Sequence, residues 1–259
     1  MRDSAPTQTI AISLPGPDAT GHDQDEEWCE VTIDGNRRRI RFHDYDEIFA
    51  IPGLYERLFY EELRCSSPRV VREMLEAHLE SSGDDPEPPR VLDVGAGNGI
   101  VAEELEKLGA ETLVGIDILE EAKEAAERDR PGLYDEYHVA DLTALPDEVD
   151  AALEDVRFNC MTTVAALGYA DMPPAAFAGA FSYLEEGGLL GISIKSEFVG
   201  DEDDPSGFSR MVGAAVEDGT LEEVEKRRFV HRLSAAGEPI HYTAMVAVKR
   251  GELPEVVAA

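Results

Sequence analysis

The nine residues Val91-Leu92-Asp93-Val94-Gly95-Ala96-Gly97-Asn98-Gly99 constrain the fold more than any other stretch of the chain. A short apolar run passes directly into three glycines at every second position, and a helical apolar pattern through Val101, Leu105 and Leu108 starts at once. Strand, tight turn and helix in immediate succession make the first half of a βαβ unit. Small residues in such a turn let the backbone bend sharply and come close to a ligand. Alone, the turn is a generic nucleotide-type signal, so its meaning depends on the rest of the chain.

Downstream, strand and helix patterns keep alternating. Strands are expected over 112–116, 136–139, 157–165 and 189–194, with helices to 127, over 174–184 and over 208–216. This spacing predicts parallel strands joined by right-handed crossovers. The last two strands, 224–233 and 241–248, are separated only by 234–240, too short for a parallel crossover, so they pair antiparallel. The expected fold is α/β: a seven-stranded sheet with the last strand antiparallel and helices on both faces.

Upstream the pattern differs. Residues 1–27 mix Pro, Gly, Asp and Thr and are expected to be a loose tail, apart from the short run Thr9-Ile10-Ala11-Ile12. Two alternating runs, 28–33 and 38–42, flank Asp34-Gly35-Asn36 and read as a hairpin. The second carries the basic cluster Arg37-Arg38-Arg39-Ile40-Arg41, whose bland reading is a solvated strand face opposite acidic neighbours. Helical periodicity covers 45–79, with Ser66-Ser67-Pro68 opening the second helix through a capping serine and a first-turn proline. The Ser/Gly/Asp/Pro-rich stretch 81–89 is a linker. The expected division is a tail over 1–27, a hairpin with cap helices over 28–85, and a ligand-binding domain over 86–259.

Three carboxylates sharpen the meaning of the glycine turn. Asp93 lies inside the strand just before the turn, where a negative charge suits an ammonium and not a pyrophosphate. Asp117 ends the next strand and can accept from both ribose hydroxyls, although a strand-ending Asp is also a common helix cap. Asp141, in Val139-Ala140-Asp141-Leu142, ends the third strand, where it can accept from an exocyclic amine while Leu142 packs on a flat ring; its alternative role is a loop cap. Together the three outline a site for an adenosine that bears an amino acid.

The motifs VLDVGAGNG, VGIDI, VADL and LEEGGLLGISIK, in this order over residues 90–249, resemble those of class I, seven-stranded S-adenosylmethionine-dependent methyltransferases. The chain is also similar to uncharacterised bacterial members of that family and, more loosely, to the methyltransferase-like protein of the Williams–Beuren syndrome region. The resemblance implies a Rossmann-like sheet of order 3-2-1-4-5-7-6 and S-adenosylmethionine as cofactor. It places Gly95, Ala96, Gly97, Asn98 and Gly99 along the methionine moiety with Asp93 near its amino group, Asp117 and Ile118 at the ribose, and Asp141 and Leu142 at the adenine. Tyr45, Tyr55 and Thr163 complete the expected contacts, the region 45–60 resembling the cap helices of small-molecule members. The fourth strand lacks the Asn-Pro-Pro-Tyr pattern of enzymes that methylate exocyclic or amide nitrogens, which argues against a flipped base.

A sulfonium methyl is already activated, so transfer requires alignment, exclusion of water and a deprotonated nucleophile. Candidate groups near the acceptor are Tyr169, Lys195 and the His241-Tyr242 pair, with Tyr55 and Tyr60 from the cap; His241 has a purely structural role as its alternative. Two other classes compete. An NAD-dependent oxidoreductase would share the turn and Asp117 but requires Gly at position 100, which is Ile. A non-catalytic cofactor-binding or interaction protein would keep the same motifs.

Composition narrows the setting. No apolar run approaches the roughly 20 residues of a membrane span, and no signal-peptide pattern opens the chain, so a cytoplasmic protein is expected. Cys29, Cys65 and Cys160 are widely spaced without ligand spacing, which suggests neither a disulfide framework nor a metal site. With 55 Asp plus Glu against 23 Lys plus Arg, the net charge of -32 repels a phosphate backbone and favours a small-molecule partner over nucleic acid. Only five of the basic residues are lysine. Such a surface suits a high-salt solvent, in which screening makes self-repulsion tolerable, and in that case the acidity says less about the partner. Melting temperature is therefore expected to rise between low and molar salt; a flat or falling curve in a thermal denaturation series overturns this reading.

Overall fold

A strand that is apolar on both faces must be covered on both faces, and this requirement shapes the molecule. In the computed structural model, which describes residues 10–16, 24–81, 87–167, 172–196 and 206–253, three strands form a small sheet: β1 (Ile10–Ser13), β2 (Trp28–Ile33) and β3 (Asn36–Arg41). The short helices α1 (Tyr45–Phe49) and α2 (Leu54–Glu56), a π-helical turn Arg57–Glu62, and α3 (Ser67–Ser81) follow. Then come β4 (Arg90–Val94), α4 (Ile100–Glu106), β5 (Thr112–Asp117), α5 (Glu120–Asp129), β6 (Glu136–Val139), α6 (Asp147–Val156) and β7 (Phe158–Leu167). The chain continues through α7 (Pro174–Ser182), β8 (Leu184–Lys195), α8 (Phe208–Glu217), β9 (Leu221–Leu233) and β10 (Pro239–Lys249).

The large sheet has the order β6-β5-β4-β7-β8-β10-β9, which is 3-2-1-4-5-7-6 counted within the sheet. Strands β4 to β8 pair in parallel, whereas β10 runs antiparallel to both β8 and β9. This is the class I methyltransferase arrangement expected from the motifs. One face is covered by α6, α7 and α8 through Leu153, Phe177, Phe181, Phe208 and Met211. The other is covered by α3 and α4 through Val71, Met74, Leu75, Ala102 and Leu105. Both β4 faces are thereby dry, which explains why Val91, Leu92 and Val94 are all apolar and why Asp93 between them is buried. No helix among the described residues is long and apolar enough to cross a membrane.

The N-terminal region departs from expectation in two places. Residues 10–13, anticipated within a loose tail, are a strand: Ile10 pairs with Ile33 and is buried in the core of the small sheet with Val31, Ile40, Ile48 and Leu58. The Arg57 guanidinium donates to the Ile10 carbonyl at 2.6 Å and ties this strand to the π-helical turn. The serines ahead of α3 also do something other than cap it. Ser66 Oγ donates to the Val230 carbonyl at 2.8 Å, and Ser67 Oγ meets His231 Nδ1 at 2.7 Å, so both hydroxyls are spent on β9. The backbone repeats this stitch, Ser66 N donating to His231 O and Leu233 N to Leu63 O. The expected linker lies largely at residues 82–86, outside the described residues.

The basic cluster takes its bland role. Arg37 pairs with Glu30, Arg38 with Glu47 and Arg41 with Asp44, while Arg39 stacks over Trp28 at 3.6 Å. A different ion pair joins the two halves of the molecule. Glu27, just ahead of β2, and Arg232, near the end of β9, are 6% and 2% exposed and lie 2.6 Å apart. The second Glu27 oxygen accepts from the Ala235 amide, and Arg232 Nη1 donates to the Leu233 carbonyl. A buried charge that loses its partner costs far more than an exposed one. Glu27→Ala is therefore expected to lower unfolding free energy by about 3–5 kcal/mol, whereas Glu30→Ala, which breaks an exposed pair, costs no more than about 1 kcal/mol. Urea denaturation of the two variants checks the contrast.

Candidate functional site

The turn after β4 takes the left-handed conformation three times, at Gly95, Gly97 and Gly99, with φ of +72°, +53° and +83°. At Gly95 space excludes a side chain as well, since a Cβ there would lie 2.8 Å from Ala166 Cβ; at Gly97 and Gly99 a Cβ would crowd the Phe49 ring at 3.2 Å and the Tyr134 ring at 3.1 Å. Gly97 is held by both of its backbone polar groups: its N–H donates to Asp117 Oδ2 at 2.9 Å, and its carbonyl accepts from Tyr137 Oη at 2.8 Å. Arg130, ion-paired with Glu56 and Glu103, donates to the Asn98 carbonyl and so links cap, turn and α4.

Asp93 lies under this turn. It is 1% exposed, accepting from Tyr134 Oη at 2.8 Å and from Thr162 Oγ1 at 2.9 Å. Burial pushes its carboxyl up to about 6, partly offset by those two hydrogen bonds. Asp117 sits at the tip of β5; burial raises its pKa, opposed by hydrogen bonds from the Gly97, Leu119 and Ile118 amides. Asp141 is exposed at the tip of β6, and its Oδ1 accepts from the Thr143 amide and hydroxyl, which hold its pKa down.

A cavity of about 330 Å³ opens above these strand tips. Gly95, Gly97, Asp117, Ile118, Asp141 and Leu142 line its floor and one end, and Tyr45, Phe49 and Tyr55 of the cap lie across it. It meets a smaller chamber of about 60 Å³, with Tyr45, Tyr55, Gly95, Gly97, Val164 and Ala165 common to both walls. At this junction Ala165 has φ +56° and the β7–β8 register slips between Val164 and Leu167. A bulge with a strained non-glycine residue at a cavity edge is a common way to aim a strand tip at a ligand.

The chamber itself is built from both ends of the chain. Phe42, Phe59 and Tyr60 come from the cap, Cys65 precedes α3, and His231, Arg232 and Tyr242 come from the antiparallel pair. The π-helical turn widens the backbone spiral, Cys65 N reaching Phe59 O, in the stretch that carries Phe59 and Tyr60. His231 stacks on Tyr242 with ring centres 3.9 Å apart, and Tyr242 Oη accepts from Gln24 Nε2. Burial, reinforced by the Arg232 charge, holds the His231 pKa well below 6.5, so the ring is neutral at pH 7.

Residues 67–235, more than half of the chain, match the family model described as a methyltransferase domain. The chain belongs to this methyltransferase family. Comparison with curated protein sequences gives no match. Among solved structures, the methyltransferase is similar to the N-methyltransferase NodS of Bradyrhizobium japonicum in complex with S-adenosylhomocysteine (15% identity, 80% of this chain and 97% of that one, TM-score 0.52). It is similar too to the 1,6-didemethyltoxoflavin-N1-methyltransferase of Burkholderia thailandensis (19%, 88% and 98%, 0.50) and to a proposed RNA methyltransferase of Pyrococcus horikoshii (13%, 71% and 81%, 0.51). At these identities the likeness is one of fold.

The fold brings most of the anticipated residues of the methyltransferase together. Gly95, Gly97, Asp117, Ile118, Asp141, Leu142, Tyr45 and Tyr55 line the large cavity, and Ala96 and Asn98 line the chamber. Asp93 is sealed beneath the turn and lines neither cavity. Thr163 is buried away from both cavities, its Oγ1 without a partner among the described residues. Lys195 and His241 are half-buried and line neither cavity. Tyr169 lies outside the described residues. Tyr242, named together with His241, lines the smaller chamber, as does His231. Sequence reasoning also misses Tyr134, just ahead of β6, and Tyr137 within it, the two hydroxyls that brace the turn, because their partners lie about forty positions earlier and leave no local signal. Tyr137→Phe is expected to cost about 1 kcal/mol of stability, seen as a lower urea midpoint at unchanged slope.

Proposed function

We propose that this methyltransferase uses S-adenosylmethionine to methylate a small molecule. The observation that carries the reading is the polarity of the large cavity. Asp117 and Asp141 offer acceptors at the strand tips, beside the polar groups of His43, Tyr45 and Tyr55, and the Gly97 N–H that a pyrophosphate would use is already engaged by Asp117. That engagement counts against an NAD site and suits a ligand with a ribose, an ammonium and a sulfonium.

The residues present fit such a cofactor. Asp117 spends one oxygen on Gly97 N and the other on Leu119 N, yet a carboxylate has about four acceptor positions, so ribose hydroxyls can be added. Asn98 keeps a buried Oδ1 without a partner among the described residues, an acceptor suited to an ammonium. Asp141 and Leu142 provide an acceptor and an apolar surface at the far end for an adenine. When bound, the cofactor supplies an electrophilic methyl carbon. The chain's own residues then orient and exclude water: the Tyr45, Phe49 and Tyr55 rings lie 4.9–6.1 Å apart in sequence across the cavity. Acceptor space walled by cap aromatics favours a compact molecule over a polymer, in keeping with a net charge of -32.

Calorimetric titration with S-adenosylmethionine tests the reading. Asp117→Ala is expected to lose two charge-assisted hydrogen bonds, each worth about 1.5–3 kcal/mol, so affinity falls by at least about tenfold; an unchanged dissociation constant refutes the role. The pH dependence follows from Asp93. Its pKa is raised to about 6, so it is anionic above that value and neutral below it. Its attraction for the cofactor's ammonium is then present at pH 7 and is lost as pH falls through about 6, weakening binding by about pH 5. Asp93→Asn is expected to flatten this profile.

A further inference from the structure

We infer that the small chamber receives the hydroxyl of a single-ring, phenol-class acceptor and that His231 takes the proton of that hydroxyl. The inference rests on the cofactor reading above and names the acceptor class that the same site selects.

Three features of the chamber lead to it. The first is shape. A volume of about 60 Å³ is small for a ring, but the chamber opens into the larger cavity between Tyr45 and Tyr55. A planar ring seated at that junction can stack on these tyrosines and extend one substituent toward Tyr242 and His231. The second is charge. Among the described lining residues no carboxylate is present, and Arg232 is the permanently charged one, itself engaged by Glu27. An ammonium acceptor finds no counter-charge there, and a carboxylate acceptor needs no base; a neutral hydroxyl does.

The third is the histidine. His231 Nδ1 is 2.7 Å from Ser67 Oγ and 3.7 Å from Cys65 Sγ, whereas Nε2 has no partner among the described residues. In the tautomer whose Nδ1–H donates to Ser67 Oγ, Nε2 carries the lone pair. The groups facing the ring are Ser67 and Cys65 from the start of α3, Tyr60 beyond Cys65, Arg232 on the same strand and Tyr242 on β10, which has Lys195 of β8 opposite it. Burial and Arg232 keep the imidazole neutral at pH 7.

In the step, the acceptor oxygen bonds to the methyl carbon as the carbon–sulfur bond breaks, the electron pair of that bond stays on sulfur, and the hydroxyl proton moves to His231 Nε2. The proton then leaves to solvent. Charge is conserved, the positive charge of the sulfonium passing to the imidazolium.

Calorimetry and labelled transfer with phenol as the probe test this. Phenol is titrated into the chain saturated with S-adenosylhomocysteine, with toluene and aniline as controls, and methyl transfer to phenol is followed with labelled S-adenosylmethionine. The expected result is that phenol binds more tightly than toluene or aniline. His231→Gln should weaken phenol at least tenfold, leave S-adenosylhomocysteine within about twofold, and slow transfer by about 100-fold. Ser67→Ala, which keeps the ring and removes its partner, should slow transfer about tenfold with phenol still bound. Failure of phenol to bind the loaded wild-type chain overturns the inference, as does unchanged phenol binding and transfer in both variants. A tenfold loss of S-adenosylhomocysteine in His231→Gln overturns it as well, since the chamber would then belong to the cofactor. If S-adenosylhomocysteine does not bind the wild-type chain, the cofactor reading itself falls, and the two failures are thus distinct.

Discussion

Gly97 is fixed from two directions, its amide by Asp117 and its carbonyl by Tyr137, and the cavity exists because of that double hold. A backbone at φ +53° with no side chain has wide freedom in an unfolded chain. Two side chains from neighbouring strands remove that freedom before any ligand arrives. The same arrangement sets the chemistry of the cavity. An amide donor that could have greeted a phosphate is occupied by a carboxylate, and Asp93 beneath the turn adds a second negative site. Conformation and ligand preference therefore arise from one set of contacts.

The second organising element is the seam between the N-terminal region and the antiparallel end of the sheet. It combines a buried ion pair, two backbone hydrogen bonds and two serine hydroxyls, all directed at residues 230–235. Burying Glu27 and Arg232 is expensive unless they remain together, so the seam has little tolerance for partial opening. The same seam carries the neutral His231, whose Nδ1 meets Ser67 Oγ.

The sheet could be read from sequence because its signals are local. Apolar runs, glycine turns and connection lengths mark β4 to β10 and the antiparallel ending forced by residues 234–240, while the strand order follows from the resemblance of the motifs to a known family. Asp117 and Asp141 could be placed at the cavity for the same reason, since they sit where their own strands end. What sequence could not show depends on contacts between distant segments. Ser67 looked like a helix cap and instead meets a histidine 164 positions away. Tyr134 and Tyr137 sit in and beside a loop of ordinary composition, yet they reach under a turn about forty positions earlier. His231 and Arg232 are consecutive and both buried, which breaks strand alternation; a register irregularity in β10 between Ile240 and His241 accompanies it. The strand Ile10–Ser13 was hidden because four residues are too few to show a period.

The family model spans residues 67–235, but Phe42, Tyr45, Phe49, Tyr55 and Tyr60, which wall the cavity and the chamber, all precede it. The machinery that holds the turn and the strand-tip carboxylates belongs to the shared portion. The aromatic walls are thus carried on a different stretch of the polypeptide from the turn and strand tips, whereas Ser67 and His231 lie within the matched span, so exchange of the first sixty-odd residues would reshape the roof over both spaces and leave the turn, the strand tips and the histidine in place.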